Sequence, residues 1–147
     1  NSRDNARTPM QWSDERNAGF STGQPWMKVN PNYTRINVAV QEADEDSVLS
    51  YYKKLIALRK ADAYRETFTY GTFTAMYEDT DSVFAYLRTN EENGQKILVA
   101  ANFGVDTVTL NLLQEVQEVL ISNMETTDLT GKKEVSLNSS DVVVVLL

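Results

Sequence analysis

The spacing of apolar residues predicts one helix in the first half of the chain. Over residues 46–60, apolar side chains recur at the spacing of a helix face: Val48, Leu49, Tyr51, Tyr52, Leu55, Ile56 and Leu58. Asp46 or Ser47 is expected to cap its N-terminus, and basic residues crowd its second half, as the helix dipole favours. Because this apolar face is so wide, we expect the helix to be buried on more than one side.

From about residue 70 the pattern changes to the period of two that is typical of strands. Short β-rich runs occupy residues 72–77, 83–88, 96–102, 106–112, 116–122 and 142–147. Asn93-Gly94 is a strong hairpin turn signal, and Gly131 and residues 138–140 mark further turns. The pattern predicts a mainly β fold, with residues 70–147 forming an antiparallel β-sandwich with Greek-key-like connections.

Residues 1–45 show neither period. They hold all three prolines (Pro9, Pro25, Pro31), both tryptophans and many asparagines. Proline restricts its own backbone and that of the residue before it, which disfavours long helices and central strands. We therefore expect a long, ordered loop that packs against something else.

Composition and charge exclude several classes of protein. The 147 residues carry a net charge of −7 without a stripe of Lys or Arg, so we expect no nucleic-acid partner. No apolar run is long enough to span a membrane, and we expect no membrane partner. With neither cysteine nor histidine, the chain has no disulfide and no Cys- or His-based metal site or nucleophile. We expect no cofactor, no metal and a cytoplasmic location.

Several motifs resemble a known enzyme family. They are the run Ser-Arg-Asp-Asn-Ala-Arg-Thr-Pro-Met-Gln-Trp at residues 2–12, Asn-Ala-Gly-Phe-Ser at 17–21, Pro-Trp at 25–26, Val-Asn-Pro-Asn-Tyr at 29–33, the helix 51–60 and Val-Phe-Ala-Tyr-Leu-Arg at 83–88. Together they resemble the α-glucosidase branch of the α-amylase superfamily, which includes oligo-1,6-glucosidases, dextran glucosidases and trehalose-6-phosphate hydrolases. The resemblance covers essentially the whole chain.

The resemblance implies a division of the chain into two parts. Residues 1–62 correspond to the loop after the eighth strand and the last helix of a (β/α)8 barrel, and residues 63–147 to the C-terminal β-sandwich domain. The implied partner is the missing catalytic barrel, because 147 residues are too few for a barrel of about 250. The family's short proline-containing link after the helix is replaced here by residues 61–66.

The resemblance also assigns the candidate site residues. Retaining glycoside hydrolysis needs two carboxyl groups about 5–5.5 Å apart. The family carries these, with a third Asp, on barrel strands that precede this segment, so we expect no catalytic residue here and no activity from the chain alone. Arg7, with Arg3 as second choice, is expected to contact a glucose of an α-gluco-oligosaccharide substrate, since a guanidinium fork bonds hydroxyls at fixed geometry. The alternative is a structural role in which these arginines pair with Asp4 or with barrel carboxylates.

Other interpretations stay open or are rejected. We favour packing over sugar stacking for Trp12 and Trp26. A calcium loop at Asp79 and Asp81 is rejected because residue 84 is Phe where that loop needs Gly. The substrate is not fixed among isomalto-oligosaccharides, dextran, trehalose-6-phosphate and sucrose.

Two competing functions are a stand-alone carbohydrate-binding module and a structural β-domain. A binding module needs a row of aromatic side chains on an exposed strand face, and the spacing of Tyr70, Tyr77 and Tyr86 does not require one. If the enzyme interpretation holds, residues 8–58 present an apolar surface without its partner. We then expect self-association, crystal contacts through this surface, or the loop folding back onto the helix.

Overall fold

The computed structural model of the chain describes residues 5–125 and 128–147. These form two compact units, unit 1 up to Lys54 and unit 2 from Leu55 to Leu147, and the division falls inside the long helix. No helix in the described ranges is long and apolar enough to cross a bilayer.

Three helices and seven strands make up the described structure. The helices are α1 (Val38–Glu42), α2 (Val48–Lys60) and α3 (Arg65–Tyr70), and short 3-10 turns span Asn5–Arg7, Arg16–Gly19 and Pro31–Thr34. The strands are β1 (Thr72–Met76), β2 (Val83–Thr89), β3 (Lys96–Asn102), β4 (Val108–Asn111), β5 (Glu118–Ser122), β6 (Glu134–Leu137) and β7 (Val142–Leu146).

Asparagine caps order the loop-rich unit 1. The buried Asn37 accepts the backbone N–H of Val40 at 2.9 Å and donates to the carbonyl of Tyr33 at 2.9 Å. Asn30 caps the 3-10 turn Pro31–Thr34 in the same way. Such caps satisfy backbone groups that a loop leaves unpaired. The described residues up to 45 contain no long helix and no strand, as the prolines predict, but the residue pattern did not predict α1.

Helix α2 begins two residues later than predicted. Ser47, rather than Asp46, is its cap: the Ser47 hydroxyl accepts the backbone N–H of Ser50 at 3.1 Å. The expectation that this helix is buried on more than one side is wrong for this chain, because α2 contains no buried residue. Val48 and Tyr52, on its apolar face, are 69% and 60% exposed. Residue spacing reveals that a face is apolar but not whether the same chain covers it.

Unit 2 is built around an antiparallel sheet, as the period of two predicts. Five strands lie in the order β1-β2-β3-β7-β5, and β4 pairs with β6 in a second sheet. All neighbours are antiparallel, and β5 carries a bulge between Val119 and Ile121. Strand β1 lies at the edge of the larger sheet, and its first four residues are exposed.

Two elements of unit 2 were not predicted. Strand β6 has four residues and directly follows Lys132-Lys133, so its alternation is too short to stand out. Helix α3 contains Thr67, Phe68 and Thr69, residues that favour strands by propensity. It forms because Phe68 and Thr67 are buried against the sheet, and tertiary burial overrides a weak local preference.

The β2–β3 hairpin is confirmed, but its turn is longer than two residues. The loop runs over residues 90–95, closed by a hydrogen bond from the N–H of Asn90 to the carbonyl of Gln95 at 2.9 Å. Gly94 has φ +76°, which glycine adopts without strain, and Asn93 accepts the N–H of Gln95 through its side chain. Asn93 and Gly94 therefore both help to form the turn, but they lie inside the longer loop of residues 90–95.

The central strands β3 and β7 of the larger sheet are buried on both faces. One face shares a cluster with the smaller sheet, including Ala85, Leu87, Leu98, Ala100, Leu110, Val135, Leu137, Val143 and Val145. The opposite face packs Ile97 and Val144 against Phe68 of α3, with Leu58 of α2 at the margin. Strand β3 thus contributes alternate residues to two clusters, which explains why it reads as a nearly continuous apolar run.

The side chain of Asn102 ties the ends of several strands together. It is 1% exposed, and its amide nitrogen lies within 2.8–3.1 Å of the carbonyls of Asp106, Leu137 and Asn138. Its oxygen accepts the N–H of Gly104 at 2.8 Å. Asn102 ends β3 and Leu137 ends β6, so one buried amide connects the two sheets.

We expect Asn102→Ala to lower the free energy of unfolding of unit 2 by about 2–4 kcal/mol, because it leaves buried backbone groups without partners. Urea unfolding followed by far-UV circular dichroism measures this. Asn111→Ala, at an exposed position of β4, is the matched control and is expected to change stability by no more than about 0.5 kcal/mol. Equal effects of the two substitutions would contradict the role assigned to Asn102.

Candidate functional site

Arg7, the first-choice site residue, ends the 3-10 turn Asn5–Arg7 with its side chain exposed. No carboxylate of the described residues lies within ion-pair distance of its guanidinium. Arg3 lies outside the described residues. The substrate contact expected of either arginine therefore stays a prediction.

The chain that follows Arg7 is anchored to the start of α1. The carbonyls of Gln11 and Trp12 accept the backbone N–H groups of Val38 and Ala39 at 2.9 and 3.0 Å. The side-chain amide of Gln11 donates to the side-chain oxygen of Asn32 at 3.0 Å. Pro9 is buried as well. Residues 9–12, which follow Arg7 in the chain, are thus held in place.

A left-handed turn lies farther along the same segment. Asn17, Ala18 and Gly19 have φ values of 56°, 60° and 65°, a region that costs a residue with a side chain roughly 1–2 kcal/mol. Ala18 is fully buried, and its carbonyl accepts the N–H groups of Trp12 and Ser13 at 2.9 and 3.1 Å. These contacts hold the turn in a conformation that an isolated peptide would leave.

The side chain of Asn17 fixes the far side of this turn. Its amide nitrogen donates to the carbonyls of Ser21 and Gly23 at 3.0 and 2.9 Å. The result is a groove of about 630 Å³, lined by Glu15, Arg16, Gly19, Phe20, Ser21 and Thr22. Apolar periodicity does not reveal this groove. The one sequence feature pointing to it is Asn17-Ala18-Gly19, since Asn and Gly are the residues that favour positive φ.

The two tryptophans of unit 1 differ in exposure. Trp12 is 51% exposed, whereas Trp26 is 91% exposed. The packing favoured for Trp26 is therefore not provided by the described part of this chain. Tryptophan is enriched at interfaces, where its ring contacts an apolar surface and its N–H finds a polar partner.

Unit 2 contains a row of aromatic side chains that is not the set Tyr70, Tyr77 and Tyr86. The rings of Phe73 and Tyr86 stack with centroids 5.2 Å apart, and Phe84 meets Tyr86 edge-on at 5.8 Å. Phe73 and Phe84 are nevertheless 54% and 57% exposed, so this row is an exposed aromatic strand face of the kind that a binding module needs. Tyr77 instead hydrogen-bonds the carbonyl of Asn111 through its hydroxyl, and Tyr70 lies alone and exposed in α3. Tyr70, Tyr77 and Tyr86 thus do not form one row, whereas Phe73, Phe84 and Tyr86 do.

The pKa shifts fall on tyrosines. Burial raises the pKa of Tyr51 and of Tyr77. The pKa of Tyr64 is raised mainly by its hydrogen bond to Glu118, at 2.8 Å, and further by burial and by the negative charge of that carboxylate. In each case the neutral phenol is the favoured form, so these side chains act as hydrogen-bond donors or packing groups.

Within residues 5–125 and 128–147, no group of three or more acidic side chains is placed to hold a metal ion. Asp79 and Asp81 lie in the loop between β1 and β2.

Comparisons with known proteins place this chain in a family. Residues 1–71 match the family model described as alpha amylase, catalytic domain. Over 127 residues the chain is 46% identical to an oligo-1,6-glucosidase of Bacillus cereus, covering 84% of this chain and 22% of that protein. It is also 46% identical over 101 residues to the trehalose-6-phosphate hydrolase of Escherichia coli K12, covering 69% of this chain and 17% of that protein.

Comparison with solved structures supports the same family. Trehalulose synthase MutB from Pseudomonas mesoacidophila MX-45 superposes with a TM-score of 0.87 at 35% identity, over 98% of this chain and 26% of that one. This chain belongs to the oligo-1,6-glucosidase branch of the α-amylase superfamily. The family predicted from the sequence motifs is confirmed.

Membership of the α-amylase superfamily gives the chain a glycosidase origin. The chain spans only about a fifth of the length of the curated oligo-1,6-glucosidase and trehalose-6-phosphate hydrolase that it matches. The catalytic-domain match ends at residue 71, close to the start of β1. A domain boundary at residues 62 and 63 stays a prediction.

We expect Gly19→Ala to loosen the left-handed turn. An added Cβ would lie 2.6 Å from the Oγ of Ser13, and φ is +65°, so a penalty of about 1–2 kcal/mol is expected. Hydrogen exchange of the Trp12 and Ser13 amides, which bond to Ala18, should then speed up about five- to thirtyfold.

Gly23→Ala is the matched control for this experiment. The Cβ it adds would meet only the Oγ of Ser21 at 3.8 Å, and Gly23 is not in the positive-φ region. In Gly23→Ala, the amides of Trp12 and Ser13 should exchange at the same rate as in the unsubstituted chain. Unchanged exchange in Gly19→Ala would show that the turn is not under the constraint described.

Proposed function

We propose that this chain is the C-terminal part of a retaining α-glucosidase that hydrolyses α-1,6-linked or related gluco-oligosaccharides in the cytoplasm. In this proposal it stabilises a catalytic barrel carried by the rest of the enzyme, contributes a loop to the active site and is inactive alone. One observation carries the proposal: residues 1–71 match a catalytic domain, while the chain spans only 22% of an oligo-1,6-glucosidase to which it is 46% identical.

Exposed apolar side chains in unit 1 support a barrel as the partner. Trp26 is 91% exposed, and several others are about half exposed: Met10, Trp12, Ile36 and Val40. So much apolar area on one small unit is what a protein surface shows where a partner covers it. Burying it would contribute roughly 25 cal/mol per Å².

Unit 2 has its own core, and we propose that it is the C-terminal β-sandwich of the enzyme. Two antiparallel sheets share one buried cluster, which supports a sandwich. Strand β7 returns to lie beside β3 after three intervening strands, which supports Greek-key-like connections. We expect unit 2 to stay folded without the barrel, because its core lies within the unit itself.

Arg7 is proposed to contact the glucose unit in the subsite that precedes the scissile bond, with Arg3 as the second choice. The Arg7 side chain is exposed, and the backbone that follows it is anchored at Gln11 and Trp12. A guanidinium there would donate to sugar hydroxyls and orient a neighbouring carboxylate. Its contribution is to binding and orientation, since an arginine does not give up its proton at neutral pH.

We expect the chain alone to release no product from a chromogenic α-glucoside above a buffer blank. A chimera, in which this chain replaces the matching segment of the Bacillus cereus oligo-1,6-glucosidase, is expected to hydrolyse isomaltose. Contaminant-free turnover by the chain alone, or a folded but inactive chimera, would contradict the proposed function.

In the same chimera, Arg7→Ala is expected to lower kcat/KM about 100-fold or more, with little change in thermal stability, because it removes a charged contact to substrate. Arg35→Ala removes the same charge from another exposed position in unit 1 and should leave kcat/KM within about twofold. Unchanged kinetics in Arg7→Ala would move the proposed contact to Arg3.

A further inference from the structure

The groove beside the left-handed turn has a lining suited to a small polar ligand. Its volume of about 630 Å³ falls within the roughly 300–1,000 Å³ typical of small-molecule sites. Glu15 and Arg16 carry opposite charges, Ser21 and Thr22 offer hydroxyls, and Phe20 adds a ring that is 49% exposed. The lining therefore combines donors, acceptors and one apolar surface.

The groove is built rather than incidental. Gly19, which lines it, ends the left-handed turn at residues 17–19, and this turn is held by the buried Ala18 and the amide of Asn17. Backbone strain persists only where surrounding contacts impose it, and it is concentrated at ligand sites. A turn fixed in this way keeps the lining side chains at constant spacing.

The chemistry of the lining matches a pyranose ring. Sugar hydroxyls donate and accept hydrogen bonds, so Arg16 can donate to them, Glu15 can accept from them, and the two hydroxyl side chains can do either. The C–H face of a pyranose is apolar and packs on an aromatic ring such as that of Phe20.

The charges around the groove favour a neutral sugar over a phosphorylated one. The single guanidinium is balanced by the carboxylate of its sequence neighbour Glu15, and the chain carries a net charge of −7. A phosphorylated sugar would meet this carboxylate and an overall repulsive field, whereas a neutral sugar pays no such penalty. The groove therefore fits a neutral saccharide better than a sugar phosphate.

We propose that this groove is a subsite for a glucose unit of a neutral α-gluco-oligosaccharide, in addition to the contact assigned to Arg7. The inference rests on the proposed function and narrows its substrate class to neutral isomalto-oligosaccharides over trehalose-6-phosphate. Arg16 and Phe20 are the residues that determine binding in it.

Two other grooves, both in unit 2, are less suited to a sugar. One of about 380 Å³ in unit 2 contains Arg88 and Arg59, but Arg88 donates to the carbonyls of Thr67 and Thr69, and Arg59 lies over the ring of Phe68. These guanidinium groups already have structural contacts. The other, of about 280 Å³, is lined by three glutamates and offers no cationic donor.

The first test is a titration of the chain itself with isomaltotriose, followed by the backbone amide resonances of residues 15–22. We expect saturable shifts there, weakened about tenfold or more by Arg16→Ala and by Phe20→Ala, and changed less than about twofold by the control Arg35→Ala. Trehalose-6-phosphate is expected to cause no saturable shift. The absence of shifts with isomaltotriose, equal effects of Arg16→Ala and Arg35→Ala, or tighter binding of the phosphorylated sugar would overturn the proposal.

The second test separates this inference from the proposed function. In the chimera, Arg16→Ala should raise KM about tenfold for isomaltotriose but less than twofold for a chromogenic monoglucoside, whose single glucose does not reach a second subsite. A chimera active on both substrates, with KM unaffected by Arg16→Ala, would overturn the subsite alone. An inactive chimera would count against the proposed function, and the titration would still decide whether the groove binds sugar.

Discussion

The architecture of unit 2 depends on one buried amide. Asn102 ends β3, and its side chain reaches the carbonyls of Leu137 and Asn138 at the end of β6 and the turn after it. Two sheets that share an apolar cluster can slide against each other, because apolar contact has no direction. A buried amide with all its hydrogen bonds made has direction, and it fixes the position of one sheet relative to the other. The turn before β7 is tied to the same residue, since the N–H of Ser140 donates to the carbonyl of Asn102.

Much of this fold follows from residue spacing, and there are physical causes for the elements that the spacing did not predict. Six of the seven strands and α2 repeat their apolar residues over enough positions for the period to be visible. Strand β6 is too short, and α3 is helical because Phe68 is buried on the sheet, a contact that sequence periodicity does not contain. The exposure of Val48 and Tyr52 in α2 is a related case, because the pattern that predicts an apolar face is the same whether or not that face is covered.

The two parts of the candidate site, the arginines and the groove, also differ in how far the sequence predicts them. Arg7 and Arg3 were identified through a motif, and the family that the motif indicates is confirmed, but their contacts depend on residues beyond this chain. The groove at residues 15–22 depends instead on three consecutive positive φ angles, which no periodic pattern encodes. Only the identities of Asn17 and Gly19 hint at it, and Ala18 between them would argue against a left-handed turn if it were considered alone.

The edge strand β1 has a consequence for the behaviour of the protein in solution. Its sequence, Thr-Phe-Thr-Ala-Met, carries no charge and no proline, the two devices that usually keep sheet edges from pairing with other chains. Colloidal stability therefore depends on long-range repulsion between molecules that each carry a net charge of −7. That repulsion vanishes near the isoelectric point of about 4.6 and is screened by salt, so mild acid and high ionic strength are the conditions that favour precipitation.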